Sequence, residues 1–177
     1  MMEPATQGDY DGLCALYCII NGIRLVLAPQ RELTRGEERA LFRAGVRFLD
    51  RQSALTEATL YCVNEWVWPK LAKRVVAKAQ DFAERPIILE HTSLSEDAPI
   101  HRTLHRIEGM IASGKAPCVF LRGKYRHYSV ISGYTPLSLK LFDSFGYHWV
   151  LRKSCGAEAP TSLHRFHMQS IITIAAP

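Results

Sequence analysis

Residues 127–142 read His-Tyr-Ser-Val-Ile-Ser-Gly-Tyr-Thr-Pro-Leu-Ser-Leu-Lys-Leu-Phe, and Asp143-Ser144 follow. Two runs rich in β-branched and aromatic residues flank Gly133-Tyr134-Thr135-Pro136, whose glycine and proline mark a turn. The segment therefore predicts an antiparallel hairpin with strands over 128–134 and 137–142. Outward from it, Cys118–Leu121, His148–Leu151 and Ser170–Ala175 also read as strands, separated by turn residues.

Upstream the character is helical. Gln7-Gly-Asp-Tyr-Asp-Gly12 is turn-rich, and Leu13–Gly22 is apolar almost all round. That run predicts a buried helix of about ten residues ended by Asn21-Gly22. Thr34-Arg-Gly-Glu37 is a capping box that opens a second helix, with Leu41, Val46, Phe48 and Leu49 on its apolar side. A third helical stretch runs from about Glu57 to Ala79, with a break or kink at Pro69. Trp66 and Trp68 in it are expected in the core or the wall of a cleft. Pro86–Leu89 is a short β-like run, and Pro99 opens a helix that ends at Gly114. Helices first and strands second predict an α+β domain over 1–177, helical to about 114 and β from about 115.

Composition narrows the function classes. The chain has 177 residues, is 47% hydrophobic and carries a net charge of +5. These values are those of a globular domain, which excludes a disordered or collagen-like chain. The length suffices to bury roughly 70% of the unfolded surface. No apolar run is long enough to span a bilayer, and the N-terminus lacks a signal-peptide pattern. Five scattered cysteines argue against a disulfide framework and for a reducing compartment. The arginines of 31–51 are interleaved with Glu32, Glu37, Glu38 and Asp50. That is the pattern of a solvated helix face, and no nucleic-acid partner is expected. His164 and His167 form an HxxH without further ligand spacing, so no metal is expected.

Three positions are out of keeping with packing alone. Cys14 follows a glycine-containing turn and begins the apolar helix, where the helix dipole and unpaired N–H groups favour thiolate over thiol. His127 begins one strand of the hairpin, and Asp143 ends the other. A hairpin brings the two to the same end, where a carboxylate can accept one imidazole N–H and orient the ring. Gln7 offers a neutral amide donor which, with the Cys14 backbone N–H, would bind an oxyanion and lower the barrier by roughly 3 kcal/mol. His148 is the one rival base, and Cys18, Cys62, Cys118 and Cys155 read as packing residues. Tyr125-Arg126, just before His127, reads as surface loop, with lining of the cleft as the alternative.

Gln7 with Cys14, the run His127-Tyr-Ser-Val-Ile-Ser-Gly-Tyr134 and Phe142-Asp143-Ser144 together resemble the papain-like cysteine peptidase superfamily. They are most similar to the small bacterial branch that includes the double-glycine leader peptidases. The resemblance covers 7–22 and 107–150. Gln7 stands one residue further from the cysteine than in that family, and Cys14 is followed by Ala15. Asp11-Gly12-Leu13-Cys14 is also similar to a motif of ovarian-tumour-type deubiquitinases.

The resemblance implies a papain-like fold, a helical part carrying Cys14 packed on an antiparallel sheet carrying His127 and Asp143. It implies Cys14 as nucleophile, His127 as general base and acid, Asp143 as the group that orients His127, and Gln7 in the oxyanion hole. It implies no cofactor. The expected function is a peptidase or isopeptidase acting on a protein or peptide through an acyl-enzyme, in the setting of a bacterial effector or toxin domain. A transglutaminase, a glutamine deamidase or a catalytically idle binding module are the alternatives. A regulatory or immunity protein is a candidate partner. The expected location is the cytoplasm, or outside the cell by export without a classical signal peptide. With six residues before Gln7, no inhibitory propeptide is expected. Activity is then constitutive, set by a partner, or that of a domain cut from a longer chain.

Overall fold

In a computed structural model, which describes residues 2–8, 11–92, 98–156, 162–167 and 170–177, the apolar run after the turn forms helix α1 (Cys14–Leu27). Residues 9 and 10 of that turn lie outside the described residues. The helix does not stop at Asn21-Gly22 as expected. Asn21 is fully buried and its carboxamide pairs with both backbone groups of Ala5, so it serves as a tether. Gly22 lets the helix lie close on the sheet. A Cβ there would stand 2.9 Å from Ile174 Cδ1 and 3.0 Å from Cys118 Sγ.

Thr34 caps helix α2 (Arg35–Arg51) with the reciprocal box expected, and Leu41 and Leu49 are buried beneath it. Glu37 pairs with Arg31 at 2.9 Å and Glu38 with Arg24. The acids of the first turn are thus spent on groups outside the helix, while Arg39, Arg43, Arg47 and Arg51 are exposed.

The stretch expected as one helix with a break at Pro69 is two helices, α3 (Leu55–Tyr61) and α4 (Trp68–Ala79). The break lies before Pro69, which sits in the first turn of α4, where its missing N–H leaves no bond unmade. Cys62 ends α3 at a positive φ of 94°. Trp68 is fully buried, whereas Trp66 is 77% exposed.

Strand β1 (Ile88–His91) begins beyond Pro86, which cannot donate to a ladder. Pro99 caps helix α5 (Ile100–Ala112), and Gly114 at φ 74° turns the chain after it. The β part is β2 (Ala116–Gly123), β3 (His127–Tyr134), β4 (Ser138–Phe142), β5 (Trp149–Leu151), β6 (Cys155–Gly156), β7 (His164–Phe166) and β8 (Ile172–Ala175). The path is β1-β8-β2-β3-β4-β5, with β7 beside β2 and β6 beside β7. Every pairing is antiparallel except β6 with β7. The architecture is α+β. Strands β6 and β7 were not anticipated, because two or three residues carry no readable alternation.

The sheet has helices on both faces. Cys118 and Val130 pack into a core with α1 and α4, whereas Val119, Leu121 and Ile131 pack with Leu104 and Ile107 of α5. The expected division at 114/115 is therefore not clean. Helix α5 covers the face opposite α1, and β1 lies at the edge of the sheet. Among the described residues no helix is long and apolar enough to cross a membrane.

Gly12 sets the entry to α1. Its N–H donates to the Thr59 carbonyl at 2.7 Å, and a Cβ would stand 2.6 Å from the carbonyl oxygens of Ala58 and Thr59. Backbone cannot yield as a side-chain tip can. Gly12→Ala is expected to cost about 2 kcal/mol, by the overpacking it forces. A denaturation midpoint indistinguishable from wild type would contradict that contact.

Candidate active site

Cys14 is the first residue of α1, and no side chain caps that end. The first-turn N–H groups and the positive end of the helix dipole therefore act on its sulfur. The lead-in is pinned by Asp11, whose carboxylate accepts from Gly8 N–H at 2.9 Å and Leu13 N–H at 3.1 Å. From the sheet, His127 opens β3 and stands beside Cys14, near enough for each to shift the titration of the other. Its Nε2 lies 2.9 Å from Asp143 Oδ2. This is a charge contact, not a linear N–H···O bond. With Nε2 against the carboxylate, Nδ1 is the nitrogen left for the sulfur.

The register explains the pairing. Val130 stands opposite Phe142, so Asp143 falls diagonal to His127 as the two strands separate. Asp143 is 2% exposed. Its second oxygen accepts from the Phe145 N–H at 2.8 Å and the Tyr147 N–H at 3.3 Å. Burial pushes its carboxyl up, but the contact with His127 outweighs this and holds it below its ordinary value.

The charges of the pair reinforce each other. A hydrogen bond from Cys62 is the largest influence on the Cys14 thiol. Burial opposes it, and His127 adds to it, leaving the thiol at about 5. Burial pulls His127 down, but Asp143 and then Cys14 reverse this and raise it to about 9. Between those limits the stable form is thiolate and imidazolium. The Tyr128 backbone N–H also supports the thiolate.

Gln7 reaches the same locus from the N-terminal segment. Its backbone N–H donates to the Ser144 carbonyl at 3.0 Å, and its Oε1 accepts from Ser144 Oγ at 3.0 Å. One of its two amide hydrogens goes to the Asp11 carbonyl at 3.1 Å, leaving the second available. Cys14, His127 and Asp143 are thus brought together, and Gln7 is tied to the residues beside Asp143 and before Cys14.

Several residues of the site escaped the sequence reading. Cys62, read as a packing residue, faces Cys14 with 3.2 Å between the sulfurs. Sequence offers no signal for this, since the two are 48 residues apart. Tyr128 donates its hydroxyl to the Val63 carbonyl at 3.2 Å and so clamps the segment that carries Cys62. Of Tyr125-Arg126, expected as surface loop or cleft lining, Arg126 lines the cleft beside the site, and Tyr125 stacks on Tyr147 at 3.9 Å, which meets the His127 ring edge-on at 5.5 Å. His148, the rival base, is exposed on the β4–β5 connection. Cys18 and Cys118 are fully buried, as packing residues should be. His167 meets Glu65 at 3.2 Å. Among the described residues no cluster of three or more His, Cys, Asp or Glu could hold a metal ion.

A cleft of about 550 Å³ adjoins the site, with Tyr61, Cys62, Trp66, Arg122, Arg126 and Tyr128 in its wall. Cys14 itself keeps only 4% exposure, and Cys62 is its neighbour on the cleft side. No family model, no curated protein and no solved structure matches the chain.

Proposed function

We propose that the protein is a papain-like cysteine hydrolase, similar to the double-glycine leader peptidases, that cleaves an amide bond of a protein or peptide. The observation that carries this reading is one constellation. A cysteine at an uncapped helix start stands beside a histidine that lowers its thiol, and that histidine is held 2.9 Å from a buried carboxylate. The cleft beside it, walled by Trp66 and Tyr128, suits an extended chain.

In this mechanism the Cys14 thiolate adds to the substrate carbonyl carbon. The oxyanion is met by the Cys14 backbone N–H and the free Gln7 amide hydrogen. His127 gives its proton to the leaving amine, and the C–N bond breaks to leave a thioester. His127, now neutral, takes a proton from water, which adds to the thioester and releases the acid. The sulfur departs as thiolate while His127 keeps the proton it took from water, and the thiolate–imidazolium pair returns. Asp143 acts only through His127, as a positioning residue.

The test is the pH dependence of Cys14 alkylation by iodoacetamide. The thiol is pulled below its ordinary value to about 5, so the thiolate is present above that pH and lost below it. The rate is expected to rise through pH 5 and then stay level, whereas an ordinary thiol titrates near about 8.5. Turnover needs the imidazolium too, so it should fall again through about pH 9. A single alkylation midpoint in the ordinary thiol range would refute the nucleophile assignment. Mass spectrometry of a treated target then identifies the bond. A new backbone or isopeptide end is expected, whereas a changed glutamine side chain on an intact backbone would move the reading to deamidation or transamidation.

A further inference from the structure

Besides Cys14, His127 and Asp143 the site holds a second thiol, Cys62, which makes and breaks no bond in the hydrolysis above. Cys62 Sγ stands 3.2 Å from Cys14 Sγ, at the point where α3 has ended and the chain crosses to α4. Its backbone is at φ 94° and ψ 160°, a region that a side chain-bearing residue occupies only when its surroundings hold it there. It is partly buried and lines the cleft, so a small reagent entering the cleft meets it beside the nucleophile. The protein's other close thiols, Cys18 and Cys118, are 1% and 0% exposed.

We propose that Cys14 and Cys62 are an oxidisable pair, which hydrogen peroxide converts to an intramolecular disulfide and a dithiol restores. The linkage stands on the two thiols alone, and its regulatory meaning rests on the hydrolase reading above. In the first step the Cys14 thiolate attacks one peroxide oxygen. The S–O bond forms and the O–O bond breaks, and the hydroxide leaves as water with the proton of His127. Cys14 is then a sulfenic acid, oxidised by two electrons, and the peroxide is reduced. In the second step the Cys62 sulfur attacks Cys14 sulfur, the S–S bond forms, the S–O bond breaks, and a second water departs with the Cys62 proton. Two thiols and one peroxide give one disulfide and two waters.

The order of these steps follows from the charge at the site. While Cys14 is a thiolate, its charge and hydrogen bond hold the proton on Cys62, whose thiol is pushed far above its usual range. Cys62 is then inert. Oxidation removes that charge from Cys14, and Cys62 becomes the resolving thiol. Closing from 3.2 Å to a disulfide bond length of about 2.05 Å takes roughly 1 Å of side-chain movement, which Cys62 can supply from outside any helix. The product blocks the nucleophile and ties the wall of the cleft to α1.

The experiment uses the whole protein, treated with a molar excess of hydrogen peroxide, blocked with iodoacetamide without reduction, digested and mapped by mass spectrometry. The expected product is a Cys14–Cys62 cross-linked peptide pair, with alkylation of Cys14 reduced roughly tenfold or more and restored by dithiothreitol. Cys62→Ser should yield no cross-link, and Cys14 should pass to a sulfinic acid that dithiothreitol does not reverse. Oxidation of wild-type Cys14 to sulfinic acid without the cross-link, or a cross-link at Cys18–Cys118 instead, overturns the pairing. This readout needs no turnover, so it stands or falls independently of hydrolysis. A cross-linked protein that still cleaves an amide substrate would leave the pair intact and overturn the hydrolase reading.

Discussion

Cys14→Ala is expected to remove amide hydrolysis by about 10⁴-fold or more while leaving the denaturation midpoint near that of wild type. The side chain is 4% exposed and small, so alanine fits the same space. Removing a thiolate from so buried a position also relieves a desolvation cost. His127→Ala should lose a comparable factor, because without the imidazolium the amine cannot leave. The double variant should lose no more than either single one, since the two act as a unit. Asp143→Ala should lose less activity than His127→Ala, because orienting the base matters less than being the base. It should cost more stability, roughly 1–3 kcal/mol, because the Phe145 and Tyr147 N–H groups lose their acceptor. Turnover in Cys14→Ala close to wild type would end the assignment. Rates and denaturation curves on the same preparations separate the two effects.

Trp68→Ala carries the largest expected loss of stability, about 4 kcal/mol. The indole is fully buried and packs at a tilt against Tyr128 with 4.4 Å between ring centroids. Its N–H donates to the Ser170 carbonyl at 2.8 Å, joining α4 to the segment before β8. Alanine leaves a cavity of indole size and strands that carbonyl. Tyr128 in turn stacks on Phe120 and bonds Val63, so the cavity opens directly behind the strand that carries His127. Trp68→Phe should cost less, about 1–2 kcal/mol, since it keeps most of the volume and loses the hydrogen bond. Equal losses for the two variants would show that the packing does not depend on the ring's size.

The hairpin illustrates what was legible in advance. Its two strands, its turn and the meeting of His127 with Asp143 follow from alternation and turn chemistry within sixteen residues. The capping box at Thr34 is equally local. The end of α1 was misread because Asn21-Gly22 ordinarily stops a helix. Here Asn21 is occupied by Ala5 and Gly22 by the sheet, partners that no local pattern announces. The long helix was misread at 62–67 because the sequence there lacks a strong breaker, and its break is stabilised by Tyr128 from β3. That same break places Cys62 against Cys14.

Short-range order in the chain therefore determined that there would be helices before strands, a buried helix beginning at Cys14, and a histidine and a carboxylate at one end of a hairpin. Only the tertiary structure decided that the sheet has helices on both faces, that Gln7 is held through Ser144, and that a second thiol shares the nucleophile's site. The physical reason is range. Backbone periodicity, capping and turns are settled by neighbours a few residues apart. The state of the Cys14 thiol is set by groups 48 and 113 positions away, which only folding brings to its side.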